Sequence, residues 1–215
     1  SLAIVNRINK FKNISKQIKV ANTLKVLTNS SSILRENYFS KIIAITGSCG
    51  KTSLKELIGK TLKKISRTTY SPKSFNNKFG VPLSLFNLKE NDDFGIFEIG
   101  MDRKGEIDYL SNIIKPDVGV ITNISYAHAK NFKNIKQIAL AKSEIIHNIK
   151  DGGALVLNAD DQFYNFHKKI ALKKKLKIYS FSMHKKSSEV NLNSIKKVNL
   201  KYRVSININN FVKYF

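Results

Sequence analysis

An α/β domain built on a mostly parallel sheet, with helices on both faces, is the fold this sequence predicts. Short β-branched apolar runs recur along the chain, helical segments alternate with them, and a glycine-bearing loop joins the first such strand to its helix. At 215 residues the chain has room for one large domain, or for one domain and part of another.

Residues 1 to 40 read as a short strand, Leu2-Ala3-Ile4-Val5, then a lysine-rich loop and a helix near residues 22–34. They are expected to be the remnant of a preceding domain. From Lys41 the pattern changes. Ile42-Ile43-Ala44-Ile45-Thr46 is the run a strand buried on both faces needs, and a helix is expected from Lys51 to about Ile65. Strands then follow at residues 94–99, 118–121, 154–158 and 177–181, with helices near 106–114, from 135 to about 149, and from Asp161. After Ser182 the chain turns polar and then alternates, which predicts a small antiparallel extension. Residues 41–215 are expected to form one central domain, incomplete at its C-terminal end. The chain opens on Ser1 in a strand-like segment and closes inside the alternating run Tyr202-Arg203-Val204-Ser205-Ile206-Asn207-Ile208, so it is expected to be a fragment.

Composition narrows the classes. Hydrophobic residues make up 42%, and no apolar run approaches the roughly 20 residues a bilayer span requires, so a cytoplasmic protein without membrane insertion is expected. The single cysteine, Cys49, rules out an internal disulfide. A net charge of +23 invites a nucleic-acid reading. Only five of the 38 basic residues are arginine, however, and the lysines are spread along the chain rather than gathered in a stripe. The excess therefore reads as a compositional bias at solvated positions, with no specific nucleic acid as partner.

The strongest chemical signal is Gly47-Ser48-Cys49-Gly50-Lys51-Thr52-Ser53. A phosphate needs several N–H donors converging on its oxygens, and glycines let the backbone approach. The helix opening at Lys51 adds its unpaired N-terminal N–H groups. Lys51 brings a charge to the β and γ phosphates, and the Thr52 hydroxyl can ligate magnesium. The first glycine of the longer GxxxxGK(S/T) pattern is absent, because Ile45 stands there. The remaining GxxGK(S/T) arises by chance in about one chain of this length in a hundred, and a strand before it with a helix after makes coincidence rarer.

Glu98 interrupts the apolar run Gly95-Ile96-Phe97-Glu98-Ile99-Gly100, where a carboxylate is costly unless a cation or donors compensate; a magnesium ligand is expected. His128 follows the strand Val120-Ile121-Thr122-Asn123 and is either a further metal ligand or an ordinary loop histidine. Lys142 sits among small and apolar neighbours on a helix, where an amine can lose its proton and become modifiable; 33 lysines in the chain make a plain solvated side chain the alternative. Asn76 and Asn77, with Gly80 and Pro82 after them, form a polar turn that either bonds a substrate or only reverses the chain.

In order, Ala44-Ile45-Thr46-Gly47-Ser48-Cys49-Gly50-Lys51-Thr52, Phe75-Asn76-Asn77-Lys78-Phe79-Gly80-Val81-Pro82, Glu98-Ile99-Gly100-Met101, Ile121-Thr122-Asn123-Ile124, Ala127-His128 and Leu157-Asn158-Ala159-Asp160-Asp161 resemble the Mur ligases over roughly residues 40 to 165. Segments 76–82 and 98–107 look most like the branch that joins D-alanyl-D-alanine to a UDP-N-acetylmuramoyl-tripeptide. Two positions depart from the family pattern: Cys49 stands in a slot more often polar, and Tyr126 and Lys130 flank His128 where a glutamate-bearing loop is common.

The resemblance implies an ATP- and Mg2+-dependent ligase of three domains, acting in peptidoglycan precursor synthesis as a monomer. Residues 1–40 would end the UDP-sugar-binding domain, residues 41–215 would be the P-loop-containing central domain, and the last domain would lie outside the chain. It further implies catalytic or ligand roles for Lys51, Thr52, Glu98, His128 and Lys142, the last as a lysine carbamylated in relatives. Asn158 and Asp161 would neighbour the adenosine, and Asn76 and Asn77 would face the substrate. The carboxylate would attack the γ-phosphate to give an acyl phosphate, from which the incoming amine displaces phosphate. A sister ligase or a folylpolyglutamate synthase shares the phosphate loop, and a P-loop kinase or GTPase and a basic nucleic-acid-binding module remain as alternatives.

Overall fold

The structure, a computed structural model, describes every residue except 1, 11, 127–130, 200 and 210. Its core is a nine-stranded sheet in which β3 (Lys41–Thr46) has strands on both sides. On one side of β3 lies β5 (Phe94–Glu98) and beyond it β4 (Thr68–Tyr70). On the other come β6 (Val118–Ile121), β7 (Ala154–Asn158), β8 (Lys177–Ser182), β9 (Val190–Val198), β10 (Lys201–Ile208) and β11 (Phe211–Tyr214). All pairs from β4 to β9 are parallel, and β9–β10–β11 form the expected antiparallel extension. The order of strands reverses at β3, so a crevice opens beyond its carboxyl end, where parallel sheets collect ligands.

Side chains alternate along β3, and this divides the core. Ile42 and Ala44 enter a large cluster with Val81 and Leu85 of α3 (Gly80–Leu85), Ile107, Leu110 and Ile114 of α4 (Glu106–Ile114), Ile138, Ala141 and Ile145 of α5 (Ile135–His147), and Ala171 of α6 (Tyr164–Lys173). Ile43 and Ile45 face the opposite way, toward Leu54, Ile58 and Leu62 of α2 (Lys51–Leu62). Burying one such aliphatic side chain contributes about 2 kcal/mol, and both faces of β3 receive it. Helices thus cover both faces as expected, with α2 alone, among the described residues, packing into the smaller cluster.

The first residues form a separate pair of parallel strands, β1 (Ala3–Val5) and β2 (Gln17–Lys19), followed by α1 (Thr23–Asn37), whose N-cap Asn22 accepts a hydrogen bond from the Lys25 amide at 2.9 Å. Buried Arg35 fastens α1 to the end of α4. Its guanidinium donates to the carbonyls of Ile114 and Tyr38 at 2.8 Å and of Lys115 at 3.3 Å, closing the C-terminal end of α4.

Three expectations need correction. Segment 76–82 is not only a turn: the Asn77 side chain accepts from the amides of Phe79 and Gly80, and α3 begins there, with Pro82 in its first turn where a missing N–H costs nothing. The helix expected from Asp161 begins at Tyr164, because the Asp161 carboxylate accepts from the Phe163 amide at 2.8 Å and holds the preceding residues in a turn. The helix from Lys51 stops at Leu62, and Ser66 bonds back to that residue's carbonyl. No helix among the described residues is long and apolar enough to cross a membrane.

Candidate functional site

Gly47 leaves β3 with φ 148°, and a Cβ built there would lie 1.8 Å from Thr122 Oγ1. Only glycine fits. The displaced space belongs to a working contact, since Thr122 Oγ1 donates to the Cys49 carbonyl at 2.7 Å. Asn123 accepts from the Cys49 amide through its side chain at 3.1 Å and from the Ser48 amide through its carbonyl at 2.9 Å. The Ser48 hydroxyl donates to the Ser125 carbonyl and accepts from the Ser125 amide. The loop is therefore moulded against the end of β6 by partners more than 70 residues away in sequence. Gly50, at φ 81°, caps α2; nothing crowds it, so backbone conformation alone calls for glycine there.

Lys51 opens α2 and folds back, its ammonium donating to the carbonyls of Gly47 at 2.8 Å and Ser48 at 3.4 Å. Lys142 reaches the same Gly47 carbonyl from α5, at 2.9 Å, with only 1% of its surface exposed. Burial, reinforced by the nearby Lys51 charge and partly offset by Cys49, pushes the Lys142 amine down from 10.5 to about 7.

Glu98 ends β5 with 1% exposure and both carboxylate oxygens occupied. Thr52 donates its hydroxyl to Oε2 and Asn76 its amide to Oε1, each at 2.7 Å. A carboxylate and a hydroxyl already in contact form an oxygen pair suited to a magnesium ion that keeps waters and phosphates for its other positions. Among the described residues no cluster of three or more His, Cys, Asp or Glu could hold a metal by itself. The donor set therefore fits a cation shared with a ligand rather than a closed protein cage.

The expected residues do not all meet. Lys51, Thr52, Glu98, Asn76 and Lys142 converge, and Ser48 is buried beside them while Cys49 is exposed. Ser53 follows Thr52 in the first turn of α2 and is exposed. Asn158 and Asp161 lie at the end of β7 with their oxygens committed to backbone. Asn158 accepts from the Asp160 amide, and Asp161 accepts from the amides of Ile124 at 2.7 Å and Phe163, so that Asp161 shapes the loop after β6. Asn77 likewise uses its carbonyl oxygen to start α3. His128 lies outside the described residues.

Sequence reasoning assigned no role to Thr122, Asn123 and Ser125, because the partners they hold are remote in sequence. It also missed Glu144, which sits two positions from Lys142 and accepts from the amides of Gly105 at 2.8 Å and Asp108 at 3.1 Å, capping α4. Burial raises that carboxyl, and the two amides hold it back.

Next to the loop lies a cavity of about 930 Å³, bounded by Lys51, Asn76, Asn77, Lys78, Arg103 and Lys104 among others. Four cations line it against two carboxylates, Asp102 and Glu106. That balance suits an anionic ligand larger than a phosphate.

The model of the Mur ligase middle domain matches residues 45–213. The chain is 39% identical over 169 residues to the UDP-N-acetylmuramoyl-tripeptide–D-alanyl-D-alanine ligase of Buchnera aphidicola subsp. Acyrthosiphon pisum, covering 79% of this chain and 37% of the relative. It is 37% identical over 144 residues to the Bacillus subtilis protein of that name, covering 67% and 32%. Among solved structures, MurF from Acinetobacter baumannii superposes with a TM-score of 0.87 at 31% identity, over 99% of this chain and 46% of that one. MurF from Thermotoga maritima, determined in complex with ADP, gives 0.85 at 23% identity over 99% and 48%, and shares the fold. The chain spans less than half the length of these relatives.

Proposed function

The chain belongs to the Mur ligase family, and from that premise we propose that it is the ATP-binding part of the ligase that joins D-alanyl-D-alanine to a UDP-N-acetylmuramoyl-tripeptide. The observation that carries the reading is the meeting of Lys51, Thr52, Glu98 and Lys142 around the loop at the carboxyl end of β3. Residues 1–40 are read as the end of the UDP-sugar-binding domain and residues 41–215 as the central domain, with the dipeptide-binding domain belonging to the longer protein. A monomer in the cytoplasm accords with this.

Magnesium-bound ATP supplies the γ-phosphoryl group that converts the tripeptide carboxylate into an acyl phosphate, from which the dipeptide amine displaces phosphate. The residues of this chain bind and orient. Gly47 and Gly50 open the backbone, and the first N–H groups of α2 with Lys51 hold the phosphates by exchanging the Gly47 and Ser48 carbonyls for anionic oxygens. Thr52 and Glu98 would hold the magnesium ion, with Asn76 fixing the Glu98 carboxylate in place. An amine at about 7 is substantially unprotonated at neutral pH, so Lys142 could add to carbon dioxide with loss of a proton to water, and the resulting carbamate would be a further oxygen donor suited to magnesium. His128 would be a further ligand, as the resemblance implies. The cationic cavity receives the tripeptide nucleotide, with Asn76 and Asn77 on its wall.

The test is phosphate release by the full-length protein. Release from ATP should require both the UDP-tripeptide and D-alanyl-D-alanine, and Lys51→Ala should abolish it. Release driven instead by a single amino acid or by a folate would replace this reading with a sister activity.

A further inference from the structure

Lys55 lies one turn beyond Lys51 on α2, and its side chain is completely buried, at 0% exposure. A buried ammonium survives only with donors fully used, and here they are. Its Nζ donates to the carbonyl of Ser71 at 2.6 Å and to that of Lys73 at 2.5 Å, stands 3.0 Å from Glu56 and lies over the Tyr70 ring. The Glu56 carboxyl is held below its ordinary range mainly by the hydrogen bond from Lys55. Lys73 adopts φ 45°, a left-handed conformation unfavourable for lysine, while its carbonyl meets the cation.

Both carbonyls belong to the connection between β4 and α3, which touches the site twice. The Ser71 hydroxyl accepts from the Glu98 amide at 3.3 Å, and the Asn76 amide donates to the Glu98 carboxylate at 2.7 Å. The Asn76 carbonyl accepts from the Gly100 amide at 2.8 Å, so the connection is also tied to the far rim of the cavity. Further along, Asn76, Asn77, Lys78 and Phe79 form the cavity wall. Lys55 thus stands behind that wall, on the helix whose first turn carries Lys51 and Thr52.

We propose that Lys55 is a positioning residue that couples the phosphate-binding helix to residues 71–79 and thereby sets the wall facing the carboxylate substrate. The inference rests on the ligase reading for its substrate but not for its geometry. Lys55 does not line the cavity, so its effect reaches the site through residues 71–79, on the wall first and on Glu98 only by way of Ser71 and Asn76.

The experiment compares full-length wild type, Lys55→Met and Lys55→Gln, the last keeping an amide donor for one of the two carbonyls. Lys55→Met should raise the KM for the UDP-tripeptide at least tenfold, and the KM for ATP, reached only by way of the contacts with Glu98, by at least threefold less, with Lys55→Gln between. In nucleotide-free protein, hydrogen exchange across residues 71–79 should quicken at least tenfold in Lys55→Met while α5 and β6 exchange as in wild type. Equal rises in both KM values, or unchanged exchange across 71–79, would overturn the proposal. If wild type turned over no UDP-tripeptide, the ligase reading would fail while the exchange comparison still decided the coupling. Failure of both variants to fold would assign Lys55 to the core and also overturn it.

Discussion

Replacing Lys142 by methionine keeps most of the length of the side chain and removes its amine, which makes the pH dependence of stability a direct reading of that group. In the unfolded chain the amine holds its proton up to about 10.5; in the folded chain burial and the Lys51 charge lower it to about 7. Between those values the unfolded state binds more protons, so stability rises with pH. From pH 7 to pH 9 the linkage integral amounts to about 2 kcal/mol in favour of the folded state. Urea denaturation of wild type and Lys142→Met at both pH values, in buffers free of carbon dioxide, magnesium and nucleotide, isolates the difference because all other titrating groups are common. Wild type should gain about 2 kcal/mol on the variant between pH 7 and pH 9. A gap that did not change with pH would show that Lys142 titrates as an ordinary solvated lysine, and the account of its burial against Gly47 would be wrong.

Gly47→Ala forces a Cβ into Thr122 Oγ1 at φ 148°. Loss of the Thr122–Cys49 hydrogen bond and backbone strain together should cost about 2–4 kcal/mol, read by urea denaturation, and calorimetry on the full-length protein should show at least tenfold weaker Mg-ATP binding; wild-type stability would refute the moulding of the loop by β6. Arg35→Met leaves the carbonyls of Ile114, Tyr38 and Lys115 without their buried donor. It should destabilise the protein by about 2–4 kcal/mol, while the dissociation constant for Mg-ATP in the folded fraction stays within threefold; a selective loss of nucleotide binding would instead place Arg35 in the site's support.

The phosphate loop was legible because it is local: a β-branched strand, two glycines and a helix start lie within one short stretch, and each has a conformational reason. Glu98 was legible as a carboxylate interrupting an apolar strand, which is a contradiction that only a partner resolves. Lys142 carries a similar mark, lying between Ile138 and Ile145 on the buried stripe of α5, although its function was assigned by resemblance. Lys55 carries no such mark. It stands beside charged residues on α2, and its carbonyl partners come from a connection whose path depends on tertiary packing. The same limit explains Thr122 and Asn123, which act across the sheet on a loop more than 70 residues earlier. The strand β4 and the helix α3, of three and six residues, are too short for periodicity to show.

Isothermal calorimetry of Mg-ATP with the full-length protein tests the central claim, that the loop of residues 47–52 with Glu98 forms a site for a magnesium nucleotide. One saturable, magnesium-dependent site per chain, weakened at least tenfold by Lys51→Ala, is the expected result. Absence of binding by folded wild type, or equal binding by Lys51→Ala, would contradict it.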